Sequence, residues 1–385
     1  MNLDVIVIGA GSVGTPTALF LSEAGLKVAV IEKNPSTGQG QNKAAIGGVR
    51  ATHSDPAKIG IGLKSLEIFS TWKEVYGDDI GWKAGGYSYI AYREQEVSLL
   101  KKLLKIQKEF GLEIEWLDKK DLLSYIPYLN PVNLLGGTLS IKDGQVSPLK
   151  ASSSFARQAI RKGVKFFYNE EVVEILHNEH KINGVRTNKG DYFCETVVNA
   201  AGADASIVMK SIGLEIPIFP ESHEAGISCP LAHFLKPLIV DLREGPEGKT
   251  SNFYFGQNDE GAIIFCYTPE PSIQGIDRDC TSEFLPVIAR RLIDVIPSLA
   301  YMPVRRVWRG LYPMTPDGIP IAGREGNWEG LYILAGMCGQ GFMLGPGFGK
   351  EITAQITNGK PVLEPEISKA FSINRDFSSQ VEALK

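Results

Sequence analysis

The sequence lacks any surplus of positive charge. Its 385 residues include 40 lysines and arginines against 44 aspartates and glutamates, which gives a formal net charge of -4. A general nucleic-acid-binding protein needs a basic surface to displace counterions from phosphates. The charge balance therefore argues against that class and favours small-molecule partners.

Cysteine is scarce as well. The five cysteines are widely scattered and show no CxxC spacing, so the sequence offers no zinc or iron–sulfur motif. The opening stretch MNLDVIVIGAG has no basic leader and no cleavage pattern, and no apolar run approaches the length of a membrane span. We therefore expect a cytoplasmic protein with no metal site and no transmembrane segment.

The composition that remains is that of a globular protein. Hydrophobic residues make up 43% and charged residues 22% of the chain, and a chain this long predicts about two folded units. At the start, DVIVIGAG followed by TPTALFLSEAGLKVAVIEK indicates a strand, a helix and a second strand. The chain thus opens on a β-α-β unit.

The first glycine loop has the spacing of a dinucleotide fingerprint. Gly9, Gly11 and Gly14 follow the first predicted strand and open the first predicted helix. Glycines let the backbone approach a pyrophosphate, which the free N–H groups of the helix start can hold. Glu32 ends the second strand about 20 residues later, where a carboxylate accepts hydrogen bonds from ribose hydroxyls. This fingerprint alone does not separate NAD from FAD.

The rest of the chain alternates between strand and helix patterns. Residues 99–129 carry helical periodicity with a lysine-rich outer face, which predicts a solvated helix. Between 163 and 202 the pattern changes to strands, with tight turns predicted at Asn183-Gly184 and Lys189-Gly190. Residues 218–312 mix strands with one helix, and 330–357 return to strand, glycine turn and helix.

Several motifs then occur in an order that resembles the D-amino-acid-oxidase-like flavoproteins. They are the fingerprint, NEEVVEI at 169–175, VVNAAGADAS at 197–206, RGLYPMTPDGIPIAG at 309–323 and GQGFMLGPGFGK at 339–350. Over nearly its whole length the chain is similar to the group of sarcosine oxidase beta subunits, dye-linked proline dehydrogenases and glycine oxidases. The resemblance implies FAD as the cofactor. Gly310 stands where monomeric sarcosine oxidases carry a flavin-linking cysteine, so a non-covalent FAD is expected.

The resemblance also implies which residues bind the cofactor. The second glycine loop, GQGFMLGPGFGK at 339–350, is expected to lie beside the flavin ring through its first residues, Gly339 to Met343. A helix start suits the negative charge that reduction leaves near N1 and O2. The predicted cofactor-binding residues are Gly9, Gly11, Ser12, Val13, Gly14, Glu32, Lys33, Val172, Ala200, Ala201, Gly202, Gly339, Gln340, Gly341, Phe342 and Met343.

Substrate contacts are implied at three positions of the family pattern. Arg50 falls where monomeric sarcosine oxidases place a carboxylate-binding arginine, although a surface or phosphate-contacting role also fits. Tyr312 stands in place of the glycine-oxidase arginine, which leaves that clamp absent. Met343 stands in place of a sarcosine-oxidase lysine, as in the proline dehydrogenases.

Four more positions leave alternatives open. His53 is a candidate acid or base, or a structural histidine, and Tyr254 is a candidate substrate contact or a half-buried strand residue. Arg309 either belongs to the site or pairs with an acid. Ile264 falls where monomeric sarcosine oxidases have an oxygen-activating lysine, which favours a dehydrogenase over an oxidase.

The expected fold class is α/β, with a Rossmann-like FAD-binding domain and an α+β substrate domain that contains a large, mainly antiparallel sheet. We expect the FAD-binding domain at 1–85, 145–217 and 313–385, and the substrate domain at 86–144 and 218–312. The expected reaction takes a hydride from the α-carbon of an amino acid such as proline or sarcosine to flavin N5 and leaves an imine. Electrons then pass to oxygen or to a protein, quinone or dye-like acceptor, and a partner subunit is compatible with the pattern.

Two other functions stay open. One is a 2-hydroxy-acid or glycerol-phosphate dehydrogenase of the same fold, which would need a proton acceptor. The other is a non-catalytic FAD-binding electron-relay subunit of a complex.

Overall fold

The computed structural model describes residues 2–245, 248, 250–378 and 382–384. The α-helices in this part of the chain are α1 Gly14–Glu23, α2 Pro56–Tyr76, α3 Glu94–Glu109, α4 Lys119–Tyr125, α5 Pro148–Arg161, α6 Ala205–Lys210, α7 Phe284–Val295, α8 Gly341–Asn358 and α9 Pro365–Ser368. The strands are β1 Val5–Ile8, β2 Val28–Glu32, β3 Gly48–Val49, β4 Lys83–Ala84, β5 Tyr87–Ala91, β6 Ile114–Asp118, β7 Gly136–Ser140, β8 Gly144–Gln145, β9 Lys165–Tyr168, β10 Val172–Asn178, β11 Lys181–Thr187, β12 Asp191–Phe193, β13 Thr196–Asn199, β14 Phe219–Pro230, β15 Leu238–Asp241, β16 Thr250–Gln257, β17 Ala262–Pro269, β18 Ile273–Gln274, β19 Val304–Met314, β20 Ile321–Arg324 and β21 Leu331–Ala335.

A six-stranded sheet forms the centre of the first half of the protein. Its strand order is β20-β21-β13-β1-β2-β9, and β1 runs parallel to both β13 and β2. Every residue of β1 is buried, as expected for a parallel strand with both faces covered. Alternate side chains of β1 lie on opposite faces of the sheet. Val5 and Val7 belong to one hydrophobic cluster, while Ile6 and Ile8 belong to another.

Helix α8 lies across both α1 and α2, and its glycines allow this close approach. A Cβ added at Gly345 would collide with the carbonyl oxygen of Ser12, and one added at Gly347 would collide with that of Ile61. A Cβ at Gly349 would come within 3.0 Å of the Thr17 amide nitrogen. The later glycines of the second glycine loop therefore serve helix packing, while only its first residues face the cavity described below.

A nine-stranded sheet forms the second half. Its order is β18-β14-β17-β16-β15-β5-β7-β6, with β19 paired along the length of β14. The pairings are antiparallel except that β15 runs parallel to β5. One face of this sheet packs against α7 through a cluster that includes Phe253, Phe265 and Phe284. The mixed α/β fold with a large, mainly antiparallel sheet is thus confirmed, while the domain boundaries stay a prediction.

Two local expectations were wrong. Helix α3 ends at Glu109, and the strand Ile114–Asp118 interrupts the helical pattern expected over 99–129, because this segment pairs with β7 at the sheet edge. Gly184 lies inside β11 rather than in a turn, and a Cβ there would collide with the Tyr192 carbonyl of the neighbouring strand. The reversal occurs instead at Glu179, whose φ is 50°. The turn at Lys189-Gly190, between β11 and β12, is confirmed.

No helix in the described part of the chain combines the length and the apolar character that a membrane crossing requires.

Candidate functional site

One cavity of about 440 Å³ runs between the two halves of the protein. On the first half it is bounded by the loop between β1 and α1, the end of β2 and the segment 39–48. On the second half it reaches residues of β14, β17 and β19, and the start of α8 closes it between the two. The first glycine loop and the second glycine loop therefore face the same cavity.

Three glycines of the fingerprint have three different roles. Gly9 adopts a φ of 100°, and a Cβ there would lie 2.7 Å from the Ala200 carbonyl oxygen, so β13 excludes a side chain. A Cβ at Gly14 would collide with the carbonyl of Gly9, which makes this position a helix–strand contact. A Cβ at Gly11 meets nothing within 4 Å, so the protein's own packing does not require that glycine. Gly11 instead leaves room for a ligand at the helix start.

Glu32 is fixed at the end of β2 beside this loop. Its Oε2 accepts a hydrogen bond of 2.7 Å from the amide of Ala10, and its Oε1 accepts from the amide of Asn34 at 2.8 Å. Oε1 also accepts from the side-chain amide of Asn34 at 2.6 Å, whereas the second lone pair of Oε2 remains available to a ligand hydroxyl. The carboxylate lines the cavity at the position that the fingerprint predicts for the ribose.

Beyond Glu32 the cavity is lined by Val172, Ala201 and Gly202 and by an ion pair. The Nζ of Lys33 lies 2.7 Å from Oδ2 of Asp204, and both side chains also line the cavity. Lys33, the lysine among the described residues that line this end of the cavity, is therefore already paired with an acid.

The cavity has the features that FAD requires. The residues that lead into α1, from Gly11 to Val13, line the cavity, as do the first residues of α8, from Gly341 to Met343, and the first amides of a helix lack partners inside it. The Oδ1 atom of Asn42, also in the cavity wall, is buried and has no hydrogen-bond partner within the described structure. Two helix starts, a ribose-side carboxylate and an unsatisfied amide oxygen together fit a dinucleotide that spans both glycine loops.

The second glycine loop approaches Tyr312 without a side chain between them. Gly339 has a φ of 76°, and a Cβ there would collide with the Tyr312 ring. Gly341, Phe342 and Met343 follow as the first turn of α8 and line the cavity. The loop thus presents backbone amides on one side and the Tyr312 ring on the other.

A chamber lined by Tyr312, His223 and Cys266 forms this end of the cavity, and we call it the aromatic chamber. The imidazole of His223 stacks on the Tyr312 ring with centroids 3.8 Å apart and an interplanar angle of 14°. The hydroxyl of Tyr312 is 2.5 Å from the hydroxyl of Tyr254. Strand register explains the grouping, because Ala225 pairs with Cys266 and Cys266 pairs with Tyr254 across three neighbouring strands.

The groups of the aromatic chamber are uncharged at neutral pH. Burial, together with the nearby Cys266 thiol, raises the pKa of Tyr254 and that of Tyr312 well above the usual range. Burial likewise raises the pKa of Cys266 to about 12. Burial lowers the pKa of His223, although the carboxylate of Glu221, 3.9 Å from its Nε2, acts in the opposite direction. The chamber therefore favours neutral ligand groups over charged ones.

Arg50 and His53 lie outside the set of residues that line the cavity. The Arg50 guanidinium is buried and donates to the carbonyl oxygens of Thr52 and Leu384, the latter at 2.8 Å, and its Nη1 is 3.1 Å from Nδ1 of His53. Burial, Arg50 and Lys58 hold the pKa of His53 well below its usual value. The substrate roles of Arg50 and His53 stay predictions, and this structure brings both residues to the C-terminal segment 382–384.

The other predicted site residues are distributed as follows. Most of the predicted cofactor residues line the cavity, as does Tyr312, whereas Gly14 and Gln340 lie behind the wall and Tyr254 reaches it through Tyr312. Ile264 lies two residues before Cys266 and so on the same strand face. Arg309 pairs with Asp277 at 2.9 Å, which agrees with the acid-pairing alternative.

Sequence reasoning missed His223, Cys266, Arg278 and the wall formed by residues 39–48. The glycine- and amide-rich stretch GQGQN at 38–42 was a usable signal for a ligand-facing loop. No sequence signal pointed to His223 or Cys266, because only the register of the strands brings these two residues together. Among the described residues, no cluster of histidine, cysteine, aspartate or glutamate is arranged to hold a metal ion.

Comparisons with known proteins agree with this geometry. The family model described as FAD dependent oxidoreductase matches residues 4–355. The sarcosine oxidase subunit beta of Rhizobium meliloti is 27% identical over 385 residues, covering 97% of this chain and 88% of that protein. The crystal structure of L-proline dehydrogenase from P. horikoshii is 30% identical with a TM-score of 0.91 and covers 99% of both chains. Glycine oxidase from Geobacillus kaustophilus is 24% identical with a TM-score of 0.85, covering 97% of this chain and 99% of that one, and shares the fold.

Proposed function

Because the chain belongs to the FAD dependent oxidoreductase family, we propose that it is an amino-acid dehydrogenase that oxidises a secondary or primary amine, such as proline or sarcosine, to an imine. The observation that carries the proposal is the continuity of the cavity. It joins the dinucleotide fingerprint and Glu32 to the aromatic chamber through the second glycine loop. A substrate in the aromatic chamber therefore lies at the ring end of the cofactor.

FAD, when bound, would supply the hydride acceptor for oxidation at the substrate α-carbon. Gly11, the start of α1 and Glu32 would hold its pyrophosphate and ribose, and the first turn of α8 would face its ring. We propose a non-covalent cofactor because the position of the family's linking cysteine is Gly310. A Cβ at Gly310 would lie 2.6 Å from the Cβ of Ala44, which leaves no space for a longer side chain.

The aromatic chamber prepares the substrate amine. A protonated amine cannot supply the electron pair that forms the imine, and transfer into an uncharged, buried site lowers the pKa of an ammonium group. The neutral hydroxyls of Tyr254 and Tyr312 stay protonated at physiological pH, so they orient the substrate and do not remove its proton. Met343 and Tyr312 both line the cavity, and their contribution would be to position the substrate.

We favour a dehydrogenase over an oxidase because the lysine that the resemblance links to oxygen activation is absent from this chain. A lysine near the ring would stabilise superoxide, and this chain has Ile264 at the corresponding strand position. The lysine that lines the cavity, Lys33, is at the opposite end and is paired with Asp204. Electrons would therefore pass to another acceptor, and the similarity to a subunit beta of sarcosine oxidase supports a partner subunit as one such acceptor. We place the protein in the cytoplasm on the strength of its scattered free thiols.

One observation favours a second candidate, the oxidation of a 2-hydroxy acid. Removing a hydroxyl proton requires a base, and the neutral His223 lines the aromatic chamber with Glu221 behind it. The two candidates differ in their pH dependence. Alcohol oxidation would require the unprotonated form of His223 for kcat/KM, whereas amine oxidation follows the pKa of the substrate amine.

An anaerobic titration of the purified protein tests the proposal. The oxidised flavin spectrum is recorded while proline, sarcosine, glycine, D-amino acids and 2-hydroxy acids are added separately. Loss of the flavin absorbance with an amino acid supports the dehydrogenase. Bleaching by hydroxy acids alone would favour the second candidate, and no bleaching by any of them would indicate an electron-relay subunit. The rates of reoxidation by oxygen and by a dye acceptor then distinguish an oxidase from a dehydrogenase.

A further inference from the structure

The segment from 270 to 283 is exposed at every residue, yet buried side chains of the large sheet hold it in place. Ser222 Oγ donates a hydrogen bond of 2.7 Å to the carbonyl of Asp277. The Nη1 of Arg309 donates to Oδ2 of Asp277 at 2.9 Å and to the carbonyl of Asp279 at 2.8 Å. Both Ser222 and Arg309 are buried. Together they fix the two residues that flank Arg278.

The far side of the segment is fixed in the same manner. The amide and the hydroxyl of Thr281 donate to the two carboxylate oxygens of Glu224, each at 2.7 Å. Glu224 is a buried residue of β14, and its neighbour across the strands is Arg309. Burying a carboxylate and a guanidinium costs free energy unless each is well paired. The sheet uses both of these charges to position an exposed segment.

Arg278 is the residue that this arrangement brings to the cavity. It lines the cavity together with His223 and Tyr312, although it stands on an exposed segment. Its flanking residue Asp277 is already bound by Arg309. Within the described part of the chain, the Arg278 guanidinium has no hydrogen-bond or ion-pair partner. All of its donors are therefore available to a ligand.

The charges of the remaining wall make Arg278 distinctive. Among the described residues that line the cavity, the other cationic side chain is Lys33, which lies at the opposite end and pairs with Asp204. His223, Tyr312 and Cys266 are uncharged at neutral pH. A carboxylate that enters so apolar a chamber requires a cation, and a guanidinium can bind both of its oxygens through parallel hydrogen bonds.

We propose that Arg278 binds the carboxylate of the substrate and that Asp277 and Arg309 act as positioning residues that hold the segment in the binding geometry. The inference rests on the proposed function in so far as the substrate is an amino acid. It names the group that selects amino acids over simple amines. It also assigns to Arg278 the carboxylate-binding role that the family resemblance implies for Arg50.

Steady-state kinetics of the FAD-loaded enzyme with paired substrates test this assignment. Arg278→Gln should lower kcat/KM for proline by about ten-fold to one hundred-fold, through KM, because charge-assisted hydrogen bonds are lost. With prolinamide, which has no carboxylate, the same variant should stay within about two-fold of wild type. Arg278→Lys should recover part of the preference for the acid. Arg305→Gln, an exposed arginine on β19, serves as the matched control and should change neither substrate.

An unchanged preference of Arg278→Gln for proline over prolinamide would overturn the assignment. The positioning role is tested by Asp277→Asn and Arg309→Gln, which should raise KM for proline while kcat for prolinamide is retained. Arg309→Lys should restore KM in part. If both positioning variants instead lowered kcat for the acid and the amide equally, their role would be structural.

A binding measurement separates this inference from the proposed function. Pyrrole-2-carboxylate, a non-oxidisable carboxylate, is titrated into the FAD-loaded protein while the flavin absorbance is followed. Arg278→Gln should raise the Kd of the protein for pyrrole-2-carboxylate by at least about ten-fold. This result would stand even if no amino acid reduced the wild-type cofactor, whereas an equal Kd in both proteins would refute the role of Arg278.

Discussion

Replacing Glu382 by glutamine is expected to destabilise the protein through a single buried charge. The Nζ of Lys58 lies 3.0 Å from Oε2 of Glu382, and neither side chain is exposed. The other carboxylate oxygen, Oε1, accepts hydrogen bonds of 3.0 Å from the amides of Ser54 and Leu384. Glutamine retains this oxygen and the shape of the side chain. The variant therefore removes the negative charge and leaves Lys58 buried without its ion-pair partner.

The size of the destabilisation depends on the interactions that Lys58 keeps in the variant. Removing one partner of a buried ion pair costs about 3–5 kcal/mol. Lys58 retains a hydrogen bond of 3.3 Å to the carbonyl of Gly318 and the nearby charge of Asp55, so the cost should fall near the lower value, about 3 kcal/mol.

The same pair makes stability depend on pH. Burial alone would raise the pKa of Glu382, but the attraction of Lys58 and the hydrogen bonds from Ser54 hold it below its usual value of 4.5. A lowered pKa means that the stabilisation is complete above the ordinary pKa and is lost as the pH falls through the lowered one. The difference between wild type and Glu382→Gln should therefore be constant near neutrality and shrink in acid.

Urea unfolding at pH 7, followed by circular dichroism, measures this difference. The matched control is Glu366→Gln, which breaks the exposed pair of 2.8 Å with Lys369 and should cost less than about 1 kcal/mol. Combining Lys58→Met with Glu382→Gln should restore most of the stability, because the methionine needs no counter-charge and the glutamine keeps the acceptor for the Ser54 and Leu384 amides. A Glu382→Gln protein as stable as wild type would refute the reasoning.

Three further outcomes can be checked directly. Glu32→Gln should weaken FAD binding by roughly ten-fold or more in fluorescence titrations of the apoprotein, because a charged acceptor is lost; unchanged affinity would exclude its ribose role. Gly345→Ala should lower the melting temperature by forcing α8 away from α1, whereas Gly326→Ala, whose Cβ meets nothing within 4 Å, should not; equal melting of the two would contradict the packing account. At pH 8 iodoacetamide should alkylate the exposed Cys280 and spare Cys266, which is buried and whose pKa is about 12. Mass spectrometry of the native protein measures the two sites, and faster alkylation of Cys266 than of Cys280 would contradict this expectation.

The cofactor half of the site was readable from the sequence because its signals are local. A strand, a glycine turn and a helix lie next to one another in the chain, and Glu32 follows at a spacing that one β-α-β unit sets. The second glycine loop was readable for the same reason, although the packing role of Gly345 only becomes visible when α1 and α2 are in place.

The substrate half was harder because its residues meet through strand register and distant segments. His223 and Cys266 come from β14 and β17, and no spacing rule links them. The predicted position of Arg50 could not anticipate that residues 382–384 return to bind its guanidinium. The turn predicted at Gly184 was wrong for a similar reason, because the neighbouring strand, and not a turn, requires a glycine there.

The order of the central sheet has a consequence for synthesis on the ribosome. Strand β1 pairs with β13, and β13 pairs with β21, so the sheet needs segments separated by most of the chain. An emerging N-terminal segment carries the fingerprint but has neither β21 nor the α8 helix start that completes the cofactor site. We therefore expect cofactor uptake to follow translation of α8, and we expect a chain interrupted before α8 to display the nucleotide motif without retaining the flavin.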